Sequence, residues 1–141
     1  DQHPKGSDIA GPVAALDWTE DALIGVLEQV SASQLLLGVP FYTRIWETKD
    51  DTVTDAPAAS MTEVQTLIKE KNLTVTHNEQ EKLHYTEYEE EDALYKIWIE
   101  DEASCSARID LIKQYGLSGI ACWSGGYETT EIWDVIEKRL Q

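Results

Sequence analysis

Leu35-Leu36-Leu37-Gly38-Val39-Pro40-Phe41-Tyr42-Thr43-Arg44 and Gly119-Ile120-Ala121-Cys122-Trp123 are the two stretches that decide the fold. Each is a short, continuous apolar run that follows a helical pattern and ends in polar or aromatic residues. Uninterrupted apolar strands arriving after helices predict parallel strands buried on both faces. Folds of that kind gather their ligand sites at the carboxyl ends of the strands. Those ends carry Tyr42, Arg44, Trp46 and Trp123. Aromatic faces beside hydrogen-bond donors suit the gripping of a sugar ring, so the chain reads as part of a binding cleft.

The 141 residues suffice for one domain or one and a half, and 42% hydrophobic residues suffice for a core. With 27 acidic and 11 basic residues the formal charge is −16. That balance argues against nucleic acid or an anionic membrane as partner, because phosphates would be repelled. No run approaches the roughly 18 apolar residues needed to span a bilayer. No signal-peptide pattern opens the chain and no lipidation motif closes it. Cys105 and Cys122 read as two buried thiols ahead of a disulfide.

Four helices are predicted. The first follows Asp17-Trp18-Thr19-Glu20, a polar cap before an acidic turn, with Leu23, Ile24, Val26, Leu27 and Val30 on one face. The second starts at Ser60-Met61-Thr62-Glu63, a capping-box spacing, and stops near Asn72. The third covers residues 102–115 with Ala107, Leu111, Ile112 and Tyr115 inward, and Gly116 stands where a left-handed residue is wanted. The last begins near Thr129 and carries Ile132, Val135, Ile136 and Leu140.

Residues 47–100 differ. They are charged, and weak alternation around Leu73 to Thr76, Leu83 to Tyr85 and Leu94 to Ile99 predicts short antiparallel strands with one face in water. With the second helix they form a small α+β insertion. The acidic run 87–92 reads as a hairpin tip. Trp18, Trp98 and Trp133 read as core, and Tyr85 and Tyr88 as cross-strand packing ahead of a cleft wall. Glu100, Asp101 and Glu102 read as the cap of the third helix. His3, His77 and His84 are too scattered for a metal site, and no phosphate loop, nucleophile elbow or Cys-x-x-Cys pair occurs. Two parallel strands cannot form a sheet with both faces hidden, so the chain is expected to be the C-terminal part of a larger α/β domain.

Residues 37–44 resemble the seventh-strand motif of glycoside hydrolase family 18, the chitinase-like TIM barrels. Gly116-Leu117-Ser118-Gly119-Ile120-Ala121-Cys122-Trp123 resembles that family's eighth strand with its floor tryptophan. Ile97-Trp98-Ile99-Glu100-Asp101-Glu102-Ala103-Ser104 is similar to the return from the chitinase insertion domain, and Asp1-Gln2-His3 to the residues after the sixth-strand tyrosine. The resemblance implies an α/β fold: the C-terminal segment of a (β/α)8 TIM barrel with an inserted small α+β domain. The implied division is 1–46 and 101–141 as barrel and 47–100 as insertion. Its overall flavour is that of bacterial members, including the spore and cell-wall lytic branch.

The implied activity is hydrolysis of polymers containing N-acetylglucosamine, chitin or peptidoglycan, assisted by the substrate's own acetamido group. Asp1, Tyr42, Arg44, Trp46 and Trp123 are the implied substrate-binding residues. Trp123 would form the floor under the sugar, Tyr42 and Arg44 would donate hydrogen bonds, and Asp1 would help orient the acetamido group. Arg44 reads equally as a surface ion pair, and Trp46 equally as packing against the insertion. Asp1, as first residue, is expected to fray. No metal or cofactor is implied. The family's catalytic motif D-x-x-D-x-D-x-E does not occur in these residues, so no catalytic residue is assigned and the chain alone is expected to be inactive. Thr43 stands where a Gly is common, and Ser124-Gly125-Gly126 replaces a bulkier turn, which leaves substrate choice open.

The alternative is a non-catalytic carbohydrate-binding or cell-wall-anchoring module; a third reading is an interaction domain built on the acidic insertion. Secretion, or association with cell wall or spore, follows from the resemblance. Exposed apolar strand edges predict self-association of the isolated chain.

Overall fold

The computed structural model describes residues 1–79 and 81–141. In chain order these form α1 (Leu16–Leu27), one 3-10 turn (Ala32–Gln34), β1 (Leu36–Pro40), β2 (Tyr42–Arg44), β3 (Trp46–Lys49), β4 (Thr52–Asp55), β5 (Ala58–Ser60), α2 (Met61–Lys71), β6 (Thr76–Asn78), β7 (Leu83–Glu90), β8 (Ala93–Ile99), α3 (Glu102–Tyr115), β9 (Gly119–Trp123) and α4 (Thr130–Leu140).

The two apolar runs pair as parallel strands, with Leu36 opposite Gly119 and Pro40 opposite Trp123. The Phe41 N–H extends the ladder by donating to the Trp123 carbonyl at 2.6 Å. Side chains alternate across such a pair. Leu37 and Val39 turn toward the helices, into a core with Leu23, Phe41, Cys105, Ile109, Ile112 and Ile132. The expectation of burial on both faces fails. Leu36 is 59% exposed and Trp123 71%: α1, α3 and α4 cover the side of Leu37 and Val39, and the Leu36 and Trp123 side chains lie on the other.

α1 starts before the expected cap. Its N-cap is Ala15, without a side-chain bond, and the Thr19 hydroxyl bonds back to the Ala15 carbonyl at 2.8 Å. Leu16, Leu23 and Leu27 form the inward stripe, at spacings of seven and four. Ile24 and Val26 fall beside that stripe and are exposed, and Val30 lies past the helix.

The capping box at Ser60 is present: Glu63 N–H donates to Ser60 Oγ at 3.1 Å and Ser60 N–H to Glu63 Oε2 at 2.7 Å. α2 ends on Asn72 in the left-handed region. Asp101 caps α3 by accepting the N–H groups of Ala103 and Ser104 at 2.9 and 3.0 Å. Gly116, with φ 66°, closes that helix. Caps of this kind contribute about 1 kcal/mol each.

The remaining strands form a short β2–β5 pair and a five-stranded antiparallel sheet in the order β4-β3-β8-β7-β6. α2 packs Val64 against Ala59, Ile97 and Ile99. Two hairpins turn on paired residues with positive φ, Asp50 with Asp51 and Glu91 with Asp92. That geometry matches the right-handed twist of the flanking strands. The acidic run is therefore only half a tip, since residues 87–90 belong to β7. Leu73, Thr74 and Val75 precede β6 instead of forming a strand. Tyr88 stacks on Tyr95 and Tyr85 leans on Trp98, at 4.8 and 5.0 Å between ring centres, as directly opposed cross-strand pairs.

Residues 1–15 have no regular structure, yet they are tied down along their length. Gln2 N–H donates to the Val13 carbonyl at 2.7 Å, and Ala15 N–H to Gln2 Oε1 at 2.9 Å. The Trp46 indole N–H holds the Gly11 carbonyl at 2.8 Å. A Cβ on Gly11 would lie 2.4 Å from the His3 ring, so a side chain there would force that ring to shift.

Candidate functional site

At the carboxyl ends of β1 and β9 lies an open groove of about 250 Å³, lined by Asp1, Val13, Ala14, Trp18, Gly38, Val39, Pro40, Tyr42 and Trp123. Four of the five residues singled out from sequence meet at or beside it: Asp1, Tyr42, Arg44 and Trp123. The strand ladder fixes the Trp123 backbone through Phe41, while the indole stands clear of the fold. The Trp123–Ser124 peptide is cis, and Gly125 and Gly126 follow.

Tyr42 and Arg44 occupy alternate positions of β2 and so share a face. Both reach the same carboxylate. The Tyr42 hydroxyl donates to Asp1 Oδ1, and Arg44 Nη2 donates to Asp1 Oδ2 at 2.8 Å. Arg44 Nη1 is anchored on the Ala56 carbonyl at 3.2 Å, which leaves that guanidinium side chain 11% exposed. Asp1 is thus gripped through both oxygens, against the expectation that it frays. Burial pushes the Tyr42 phenol above its usual range; Arg44 opposes the shift and the Glu100 carboxyl adds to it. The phenol therefore stays protonated and can donate.

Trp46 is not part of the groove. It is fully buried, with its indole N–H on Gly11, so neither ring face is open to a ligand. Packing against the first fifteen residues claimed the ring. Trp18 and Trp133, expected in the core, are 42% and 48% exposed. Trp18 sits at the rim where α1 overlooks the open face of β1 and so lines the groove. Trp133 packs edge-on to Phe41 and donates to Glu128 at 3.2 Å. Trp98 is half-buried. Val13, Ala14 and Trp18 also line the groove without a sequence signal: Val13 and Ala14 precede α1 in a segment with no periodicity, and Trp18 reads as core.

The groove thus brings an exposed indole together with a carboxylate held by a phenol and a guanidinium. The sequence matches glycosyl hydrolases family 18 across residues 2–128. The chain belongs to that family. Among curated family relatives, the cortical fragment-lytic enzyme of Bacillus subtilis is 24% identical over 133 residues, covering 92% of this chain and 29% of that protein. A chitinase from Chromobacterium violaceum superimposes with a TM-score of 0.83 at 26% identity, over 94% of this chain and 41% of its own. A plant class V chitinase mutant from Cycas revoluta, solved in complex with (GlcNAc)3, gives a TM-score of 0.81 at 20% identity, over 100% of this chain and 44% of its own. The chain spans between 29% and 37% of the length of the curated relatives it matches.

The superpositions on the two chitinases take in both parts of the fold, the parallel strands with their helices and the separate antiparallel sheet, since they cover 94% and 100% of this chain. The two free thiols take no part in the groove. Burial raises the Cys105 thiol to about 11 and also pushes the half-buried Cys122 thiol upward.

Proposed function

We propose that the groove is one part of a cleft that binds polymers containing N-acetylglucosamine, in a family 18 barrel of which these residues supply the last strands. The observation that carries this reading is the 71%-exposed Trp123 lining the same groove as the Asp1 carboxylate. An indole face covers the apolar C–H face of a pyranose. Tyr42, Arg44 and Asp1 then offer donors and an acceptor for the ring's hydroxyl and acetamido groups. The open face of β1 and β9 is where the preceding barrel strands would pack. Residues 47–100 form an inserted lobe, and residues 1–46 and 101–141 belong to the barrel.

The parent protein hydrolyses its glycoside with the acetamido oxygen as nucleophile and a carboxylic acid protonating the leaving oxygen. Neither the acid nor its motif lies in these residues, so their contribution is to bind and orient. A cell-wall or spore-cortex polymer is the substrate class favoured by the cortex-lytic relative, and action outside the cytoplasm goes with it.

Calorimetric titration of (GlcNAc)3 into the protein and its Trp123→Ala variant tests the reading. Loss of the indole is expected to weaken binding about tenfold, equivalent to about 1.4 kcal/mol. Equal affinity of both proteins would remove Trp123 from the site. Binding without any hydrolysis in a protein that includes the barrel's other strands would favour the non-catalytic module, which the missing motif in this sequence already allows.

A further inference from the structure

One buried charged pair has no place in the groove. Arg108 of α3 and Glu100, which lies just past β8, are 1% and 4% exposed. Arg108 grips Glu100 in a fork, Nη1 to Oε2 at 2.6 Å and Nη2 to Oε1 at 2.9 Å. The Ser104 hydroxyl adds a third bond to that carboxylate at 2.7 Å. A buried ion pair of this kind is a weak source of stability, because apolar residues of the same size often serve as well. Its geometry suggests another use. Arg108 Nη2 also donates to the Ala14 carbonyl at 2.5 Å, on a segment 94 residues away in sequence. The neighbours of Ala14 bind Gln2 twice, through the Val13 carbonyl and the Ala15 N–H. Gln2 is joined by its peptide bond to Asp1, whose carboxylate Tyr42 and Arg44 hold.

We infer that Glu100 and Arg108 are positioning residues: their buried fork clamps the backbone at Ala14 and thereby sets where the Asp1 carboxylate stands in the groove. Its functional importance rests on the reading of the groove as a sugar site. A guanidinium suits the role because a planar fork serves a carboxylate and a carbonyl together, whereas an ammonium is a point charge.

The test uses Glu100→Leu/Arg108→Met, which replaces the pair with apolar groups of similar size, and Arg108→Lys, which keeps the ion pair. In the double variant the Ala15 amide is expected to exchange with solvent about tenfold faster or more, while the Ile97 amide keeps its protection and the melting temperature stays close to the parent's. Affinity for (GlcNAc)3 falls about tenfold alongside. Arg108→Lys gives an intermediate exchange rate. An unchanged Ala15 rate in the double variant overturns the clamp. So does faster exchange with undiminished sugar affinity, since Asp1 would then stand correctly without it. If the double variant does not fold, a parental Ala15 rate in Arg108→Lys is the overturning result. A parent protein that fails to bind (GlcNAc)3 sinks the sugar reading, while the exchange rates still judge the clamp.

Discussion

The two sheets of this molecule finish themselves in different ways. The antiparallel sheet is built mostly from hairpins, β3–β4, β6–β7 and β7–β8, joined where Trp46 of β3 lies opposite Lys96 of β8, and α2 covers one of its faces. The parallel pair joins strands some eighty residues apart, and its second face stays open around Leu36 and Trp123. Parallel strands need crossover connections, and a pair alone cannot hide both of its faces. One region is closed largely by local turns; the other leaves one face open, and the groove lies at the carboxyl ends of its strands.

Neighbouring leucines in β1 give the sharpest way to break that contrast. Leu37→Ala is expected to cost about 2–5 kcal/mol, because its side chain is enclosed by the helices. Leu36→Ala, on the open face, should change stability by less than about 1 kcal/mol in this chain. Urea unfolding of both variants measures the difference. Equal losses would mean that the open face is covered in solution, as self-association would do.

A smaller effect is expected at the β7–β8 turn. Glu91 and Asp92 both hold positive φ, at 49° and 62°. Changing them to Asn-Gly should raise stability by up to about 1 kcal/mol, read as a higher melting temperature. No gain would show that the hairpin does not limit the sheet's stability.

The smallest effect concerns acid. Glu47 is held below the ordinary carboxylate value of 4.5 by the Thr54 hydroxyl, and Glu63 by the Ser60 backbone N–H. Glu128, in the other region, is lowered by its own backbone N–H and that of Gly126. Each folded value lies below the unfolded one. The stability they contribute is therefore present above about pH 4.5 and lost as pH falls through the folded values. With two such groups against one, the antiparallel region should lose amide-exchange protection first on acidification from pH 7 to pH 3. Simultaneous loss would make the two regions one cooperative unit.

Much of the fold was legible because it is local. The apolar runs announced the parallel strands, Ser60 and Glu63 announced a helix start, and Gly116 its end. The β3–β4 hairpin escaped notice because Asp50-Asp51 reads as a charged loop, although its backbone turns as tightly as any Asn-Gly. The site was half legible. Tyr42, Arg44 and Trp123 follow from strand ends, whereas Trp46 reads equally as a sugar contact or as packing against the insertion, and it lies buried with its N–H on Gly11.

By itself the sequence determined the strand and helix types, the family and the chemistry available at the strand ends, since periodicity, caps and short motifs act over a few residues. Only the tertiary structure decided which face of β1 stays open, that Asp1 is held through both oxygens, and that Arg108 reaches Ala14. Those side-chain contacts join residues forty-one to ninety-four positions apart. No local pattern encodes them, because they depend on where packing brings the backbone.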